Sequence, residues 1–413
     1  MAMLASASPS AGAAGASHPY RWAMLGGVWL VYYCFALTIS AMAPLVQPIE
    51  RDLGFGHAAM GSVFSAWTLV FIFSAMPCGA LMDRIGPRRS IFIAVLFITA
   101  SGVLRGMAEG HLSLLLAVAL FGLGGPLIAI GAPKLIALWF AGKDRAVAMG
   151  LYITGPSLGS VTGFSITNSL MMPAFDEQWR HVLFAYAAFV FCGGLVWLAI
   201  SAHPASRAME RRLAGETKHS HLKVFAELIH LPAVRITLVM GVGIFFINHG
   251  MNNWLPEMLR HNGMDAVSAG FWAATPVAVG VLGALTIPRL ATPERRLRIL
   301  VGLFFCAGAA SLLLHNEPGP VLTFGLFLQG VAKSCMMSLA LLSVMEIPEV
   351  GTRHAGSASG MFFSAAEIGG VLGPMTIGLT YDATGSFDIA LAMLTGICVI
   401  LVFLAWRLSR LTP

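Results

Sequence analysis

The chain has 413 residues, of which 57% are hydrophobic and 11% charged, whereas a soluble domain carries about a quarter charged residues. With 45 glycines and a mean hydropathy of +0.80, it holds more apolar surface than a globule of this size hides. Soluble, disordered and collagen-like chains are excluded, and lipid is the expected solvent. The net charge of +6 is read as a consequence of membrane orientation and implies no nucleic-acid partner.

A helix needs ~20 residues to cross a bilayer, so this length suits twelve crossings with short loops. Residues 1–20 lack a basic stretch ahead of an apolar one and read as a disordered cytoplasmic tail, not a cleaved signal peptide. Charge-free runs then mark six spans: Trp22 to Ile49, Leu53 to Met82, Ser90 to Leu104, Gly110 to Pro133, Ala146 to Phe175 and His181 to Ser206. The polar stretch 203–232 separates these from Ile236 to Pro256, Ala266 to Pro288, Ile299 to Asn316, two segments around Lys333 and Glu367, and Ile389 to Trp406. A barrel would show ~10-residue alternating strands. The expected fold is therefore an all-α membrane protein of twelve transmembrane helices, with six-helix bundles over 21–202 and 233–413 joined by a cytoplasmic linker.

Most of the 25 Lys and Arg residues fall on the side of the N-terminus, and Arg51, Arg105, Arg180 and Arg260 fall on the other. The positive-inside rule then predicts cytoplasmic termini in a bacterial-type inner membrane. The six cysteines lie scattered in apolar spans without CxxC spacing, as buried hydrophobes with neither disulfides nor a metal site. His219 and His221 in the linker read as solvated. A phosphate loop, HExxH and a nucleophile-elbow GxSxG are all missing, so no cofactor, ATP-driven step or enzymatic hydrolysis is expected, and transport must draw on a gradient. A monomer is expected.

The halves repeat. Leu151 to Gly163 (LYITGPSLGSVTG) matches Met361 to Gly373 (MFFSAAEIGGVLG), and the Gly79-Ala80-Leu81 that ends the second span returns as Gly283-Ala284-Leu285. Such symmetry is typical of secondary transporters, with the substrate site at the midplane between the halves. Gly155, Gly159 and Gly163, like Ala365, Gly369 and Gly373, form small-residue stripes that admit a close helix neighbour and leave surfaces able to slide or rock.

Between the second and third spans, Gly79-Ala-Leu-Met-Asp83-Arg84-Ile-Gly86-Pro-Arg88-Arg89 resembles the G-x-L-x-D-R-x-G-x-R-R loop of the major facilitator superfamily. The Leu-Trp-Phe run at Leu138 to Phe140 with Arg145 is similar to that family's connection between spans 4 and 5. Gly155-Pro156-Ser157-Leu158-Gly159 only partly resembles its antiporter motif, because Gly150 stands one place too far upstream and Ser160 replaces a glycine. The resemblance covers residues 20 to 410 and implies alternating access by two bundles. Pro133 to Ile136 and Asn252 to Pro256 further resemble bacterial anion carriers of the cyanate-permease kind.

Asp83 is expected to gate, pairing with a neighbouring base and a helix N-terminus to hold the cytoplasmic side together while the carrier faces outward. Gly79, Arg84, Gly86 and Arg88 belong to the same loop motif, and the arginines also suit headgroup anchoring. Ionisable residues inside spans are functional candidates by default. Lys134 either snorkels to the interface or, as the resemblance implies, faces the central cavity. Lys333 and Glu367 lie near the midplane of an antiparallel helix pair. They form either a fixed salt bridge or a coupling pair in which Glu367 exchanges a proton and Lys333 alternates between Glu367 and an anion.

Asn248 and Asn252 share a face and line a helix contact or the cavity. His249 reads as a core histidine or a relay. Of Tyr32 and Tyr33 only one points inward, and Tyr33 is taken as the cavity residue. The sequence points to a carrier of a small organic anion by proton symport or exchange, with the lipid bilayer and the solute as partners. An efflux antiporter for hydrophobic or cationic compounds and a transporter-like sensor are the rivals.

Overall fold

A computed structural model describes residues 18–213, 227–347 and 349–411. Most of the expected tail, much of the linker, and His219 and His221 lie outside the described residues. Six helices form the first half: α1 (Arg21–Ser40), α2 (His57–Ile85), α3 (Pro87–Gly106), α4 (His111–Trp139), α5 (Gly142–Ile166) and α6 (Trp179–Ser201). The second half comprises α7 (Pro232–His261), α8 (Ala266–Leu290), α9 (Pro293–Leu313), α10 (Pro320–Met345), α11 (Gly351–Thr384) and α12 (Asp388–Leu411). The α1 path continues through a 3-10 turn, Ala43–Leu45, into Val46–Leu53.

Local chemistry sets many boundaries. Proline opens α3, α7, α9 and α10, at a position whose missing N–H would be unpaired anyway. Asp265 caps α8 by accepting from the N–H groups of Val267 and Ser268. The Ser268 hydroxyl, followed by these backbone donors, holds the Asp265 carboxyl below its ordinary value. Gly86, with φ +86°, makes the sharp turn between α2 and α3 that a side chain would strain. Among the described residues eleven helices are long and apolar enough to cross a membrane. The remaining one, α5, starts with Lys143, Asp144 and Arg145 and packs along α1.

That packing comes from the glycine stripes. A Cβ on Gly159 would stand 2.3 Å from the Tyr33 carbonyl, and those on Gly155 and Gly163 would meet Trp29 and Ala41 at 2.8 and 3.0 Å. In the second bundle Gly369 and Gly373 press α11 on α7 in the same way, 1.9 Å from the Val242 carbonyl and 2.4 Å from that of Phe246. Both stripes therefore close helices within a bundle, where backbone proximity requires the absence of a side chain.

Different glycines join the bundles. A Cβ on Gly61 of α2 would lie 2.6 Å from the Pro374 carbonyl of α11, and one on Gly270 of α8 would lie 2.4 Å from the Phe164 carbonyl of α5. Phe164 and Pro374 stand in the same repeat register as Gly159 and Gly369, so the two contacts are related by the pseudo-symmetry. All hydrogen bonds between described residues of the two bundles lie towards the side where α1 ends, here the far side. His57 and Ala58 donate backbone N–H groups to Asp382, Ser65 donates to the Val371 carbonyl, Asn168 to that of Ala266, and Arg260 to Gln47. On the near side, no hydrogen bond or ion pair joins the bundles among the described residues. Among the described residues the bundles are thus tied on the far side and untied on the near side.

Arg105, in the last turn of α3 on the far side, is 2% exposed inside the first bundle. Its Nη1 donates to the Thr38 carbonyl and contacts Met42 Sδ, and the guanidinium lies 5.2 Å from the Phe121 ring centroid. The base therefore ties the end of α1 to α3 and α4.

Candidate functional site

At the middle of α10, Lys333 faces α7 and its ammonium donates to Asn252 Oδ1. No carboxylate accompanies it: among the described residues no ion pair joins Lys333 to Glu367. Glu367 is 6% exposed, and its Oε2 has no hydrogen-bond partner. The carboxyl lies beside His249, because a Cβ on Gly370 would be 2.8 Å from Glu367 Oε2 and 3.4 Å from His249 Nδ1. One turn before Lys333 on the same helical face, Gln329 is 1% exposed with both amide atoms unpaired. Asn248 Oδ1 is likewise buried without a partner.

An unpaired polar atom in such surroundings costs ~1–3 kcal/mol. Four of them, on Asn248, Gln329 and Glu367, lie on α7, α10 and α11, where Lys333 has no acid beside it among the described residues. Polar groups left unpaired in a concave interface suit a ligand that completes them.

The first bundle presents rings to this cluster. Tyr152 and Tyr32 are 5.3 Å apart between centroids, Tyr32 and Phe35 5.9 Å, and Phe35 and Trp67 6.3 Å. Trp67 then stacks on His249 across the interface at 5.5 Å. In the second bundle the row continues from His249 to Phe245 at 5.3 Å and on to Phe363 at 6.3 Å.

The other candidates lie elsewhere. Lys134 pairs with Asp83 at 2.8 Å, five residues from the near end of α4. This pair belongs to one bundle, so Asp83 holds no interbundle contact in the far-closed arrangement. A Cβ on Gly79 would meet Ile130 at 3.9 Å, Arg84 is exposed, and Arg88 donates to the Ser201 carbonyl on α6. Tyr33 points away from the ring row: its hydroxyl donates to Thr162 at 3.0 Å and its ring packs on Trp29 and Phe189. The neighbouring Tyr32 occupies the inward face. No group of three side chains suited to a metal ion occurs among the described residues.

The sequence profile of the Major Facilitator Superfamily matches residues 28–374. The chain belongs to this superfamily. A putative tartrate transporter of Agrobacterium vitis is 24% identical, with 94% of this chain and 89% of the relative covered. A probable galactarate/D-glucarate transporter of Escherichia coli is 22% identical, with 88% and 89% covered. Among solved structures, a bacterial homologue of the human lysosomal transporter Spinster, inward-facing and unoccupied, has a TM-score of 0.74 at 18% identity over 95% of this chain and 98% of that one. A nucleoside transporter has a TM-score of 0.76 at 15% identity, with 95% and 100% covered.

Within this superfamily fold, two members of the cluster escaped the sequence reading. Gln329 carries no charge and so raised no cost signal, although its spacing of four from Lys333 was visible. Trp67 looked like any span aromatic, because nothing local marks a ring that packs across two bundles.

Proposed function

We propose that this protein is a proton-coupled secondary transporter of a small organic anion, with the near side cytoplasmic. The observation that carries the reading is Lys333: a midplane ammonium held by Asn252, with no acid beside it, while a buried carboxyl with a free oxygen stands on the next helix. An anion entering from the parted side would complete the ammonium and the unpaired amides of Gln329 and Asn248. Glu367 would carry the proton, since a carboxyl without a fixed partner takes and releases one without breaking a salt bridge. Far-side closure seals this cluster, and near-side closure would return it to the other face. The concentration of Lys and Arg on the near side supports its cytoplasmic placement. The tartrate and galactarate transporters among its relatives support the anionic class.

The test is uptake into proteoliposomes of tartrate, galactonate, acetate and phenylacetate, with and without a pH gradient. The parent should accumulate at least one of these against its gradient. Glu367→Gln should retain exchange and lose proton-driven accumulation, because an amide mimics the protonated acid without releasing its proton. Unchanged accumulation by Glu367→Gln would remove it from coupling, and uptake insensitive to Lys333→Met would remove the anion site.

A further inference from the structure

The site described above holds one uncompensated cation. Lys134, the other candidate base, is neutralised by Asp83. A dianion drawn into the midplane would therefore bring one charge without a partner, and an unpaired charge in a low-dielectric site is strongly disfavoured. The Lys333 ammonium and the carboxamides of Gln329, Asn252 and Asn248 supply more than enough donors for the two oxygens of a carboxylate, all of them on the second bundle. Across the interface the first bundle contributes a row of rings. From Tyr32 through Phe35 and Trp67 the row runs at centroid spacings of 5.9 and 6.3 Å, and it crosses to His249 at 5.5 Å. Such a surface offers apolar area and π faces to a flat body.

We propose that the transported solute is a monocarboxylate with an aromatic body, its carboxylate on Lys333 and the amides of the second bundle and its ring against Trp67 and Phe35 of the first. The inference rests on the anion site proposed above. It divides recognition between the bundles: charge on one, shape and apolar contact on the other. A ligand gripped this way draws the two surfaces together, as alternating access requires of a solute that promotes closure.

The experiment is titration calorimetry of the full-length protein in lipid nanodiscs with phenylacetate, acetate, galactonate, tartrate and benzyl alcohol. Phenylacetate should bind roughly tenfold or more tightly than acetate through burial of its ring, and more tightly than galactonate or tartrate. Benzyl alcohol, which lacks the charge, should not bind measurably. Lys333→Met should abolish phenylacetate binding. Trp67→Ala should narrow the preference for phenylacetate over acetate, and Phe35→Leu should act in the same direction if the tryptophan variant does not fold. Tighter, Lys333-dependent binding of tartrate or galactonate would overturn the aromatic monocarboxylate and leave the anion transporter standing. Binding of none of the four anions in a Lys333-dependent way would overturn both.

Discussion

The two bundles descend from one repeat and are closed internally by the same device, yet they present opposite chemistry to the interface. In the first, α5 lies on α1 through Gly155, Gly159 and Gly163, and the midplane face is aromatic, from Tyr152 through Trp67. The second repeats that packing with Gly369 and Gly373, but its midplane face holds Lys333, Gln329, Asn248, Asn252 and Glu367. Where the repeat has Ser157 in α5, its hydroxyl spent on the Ile153 carbonyl, α11 has Glu367 with a free oxygen. Shared backbone packing thus preserves the architecture, and a few side chains that do not affect it differentiate the halves.

The sharpest break of this comparison is Lys333→Met. If charge recognition resides in the second bundle alone, losing it should cost anion binding about 2–5 kcal/mol, read by calorimetry, whereas Lys134→Gln in the first bundle should leave affinity nearly unchanged. Comparable losses from both would show that both halves bind the anion.

Glycines separate fold from conformation. Gly369→Ala places a Cβ 1.9 Å from the Val242 carbonyl inside one bundle, and Gly61→Ala places one 2.6 Å from Pro374 between bundles. Overpacking of this kind costs about 1–3 kcal/mol. The first should lower the melting temperature. The second should leave it nearly intact and shift spin-label distances towards a far-open population. A fall in melting temperature for Gly61→Ala equal to that of Gly369→Ala would refute the distinction.

Asp382 tests the far closure at smaller amplitude. Its two carboxylate oxygens accept from the backbone N–H groups of His57 and Ala58 at 3.0 and 2.8 Å, so a residue of the second bundle caps the first turn of α2 in the first. Asp382→Ala should weaken the far-closed state by about 1 kcal/mol, the usual worth of a cap. The measurement is far-side accessibility of a cysteine placed at Ala58, which should rise relative to the parent. The smallest effect is expected at the exposed Lys134–Asp83 pair, where Lys134→Gln should change stability by less than about 1 kcal/mol in a melting curve.

Much of this molecule was readable before folding. Spans were legible because hydrocarbon tolerates so few charges that apolar runs mark them directly, and the repeat was legible because backbone contact demands glycine at fixed spacing. Lys333, Glu367, Asn248 and Asn252 stood out because polar groups in lipid are costly. Tyr33 was chosen over Tyr32 because adjacent residues on a helix differ by 100° and nothing local says which direction is inward. The expected meeting of Lys333 and Glu367 rested on equal depth in neighbouring helices. Depth does not set the rotation of either helix about its axis, and Asn252 takes the ammonium instead.

Composition and glycine spacing therefore specified a twelve-helix membrane protein and its internal symmetry, since both follow from local rules of solvation and backbone contact. Which face each helix turns to the interface, which bases keep their charge unmatched, and which side is closed emerge only when two bundles meet. Those properties depend on helix rotation and on pairings across hundreds of residues, as between Trp67 and His249 or Ala58 and Asp382, and no window of sequence contains them.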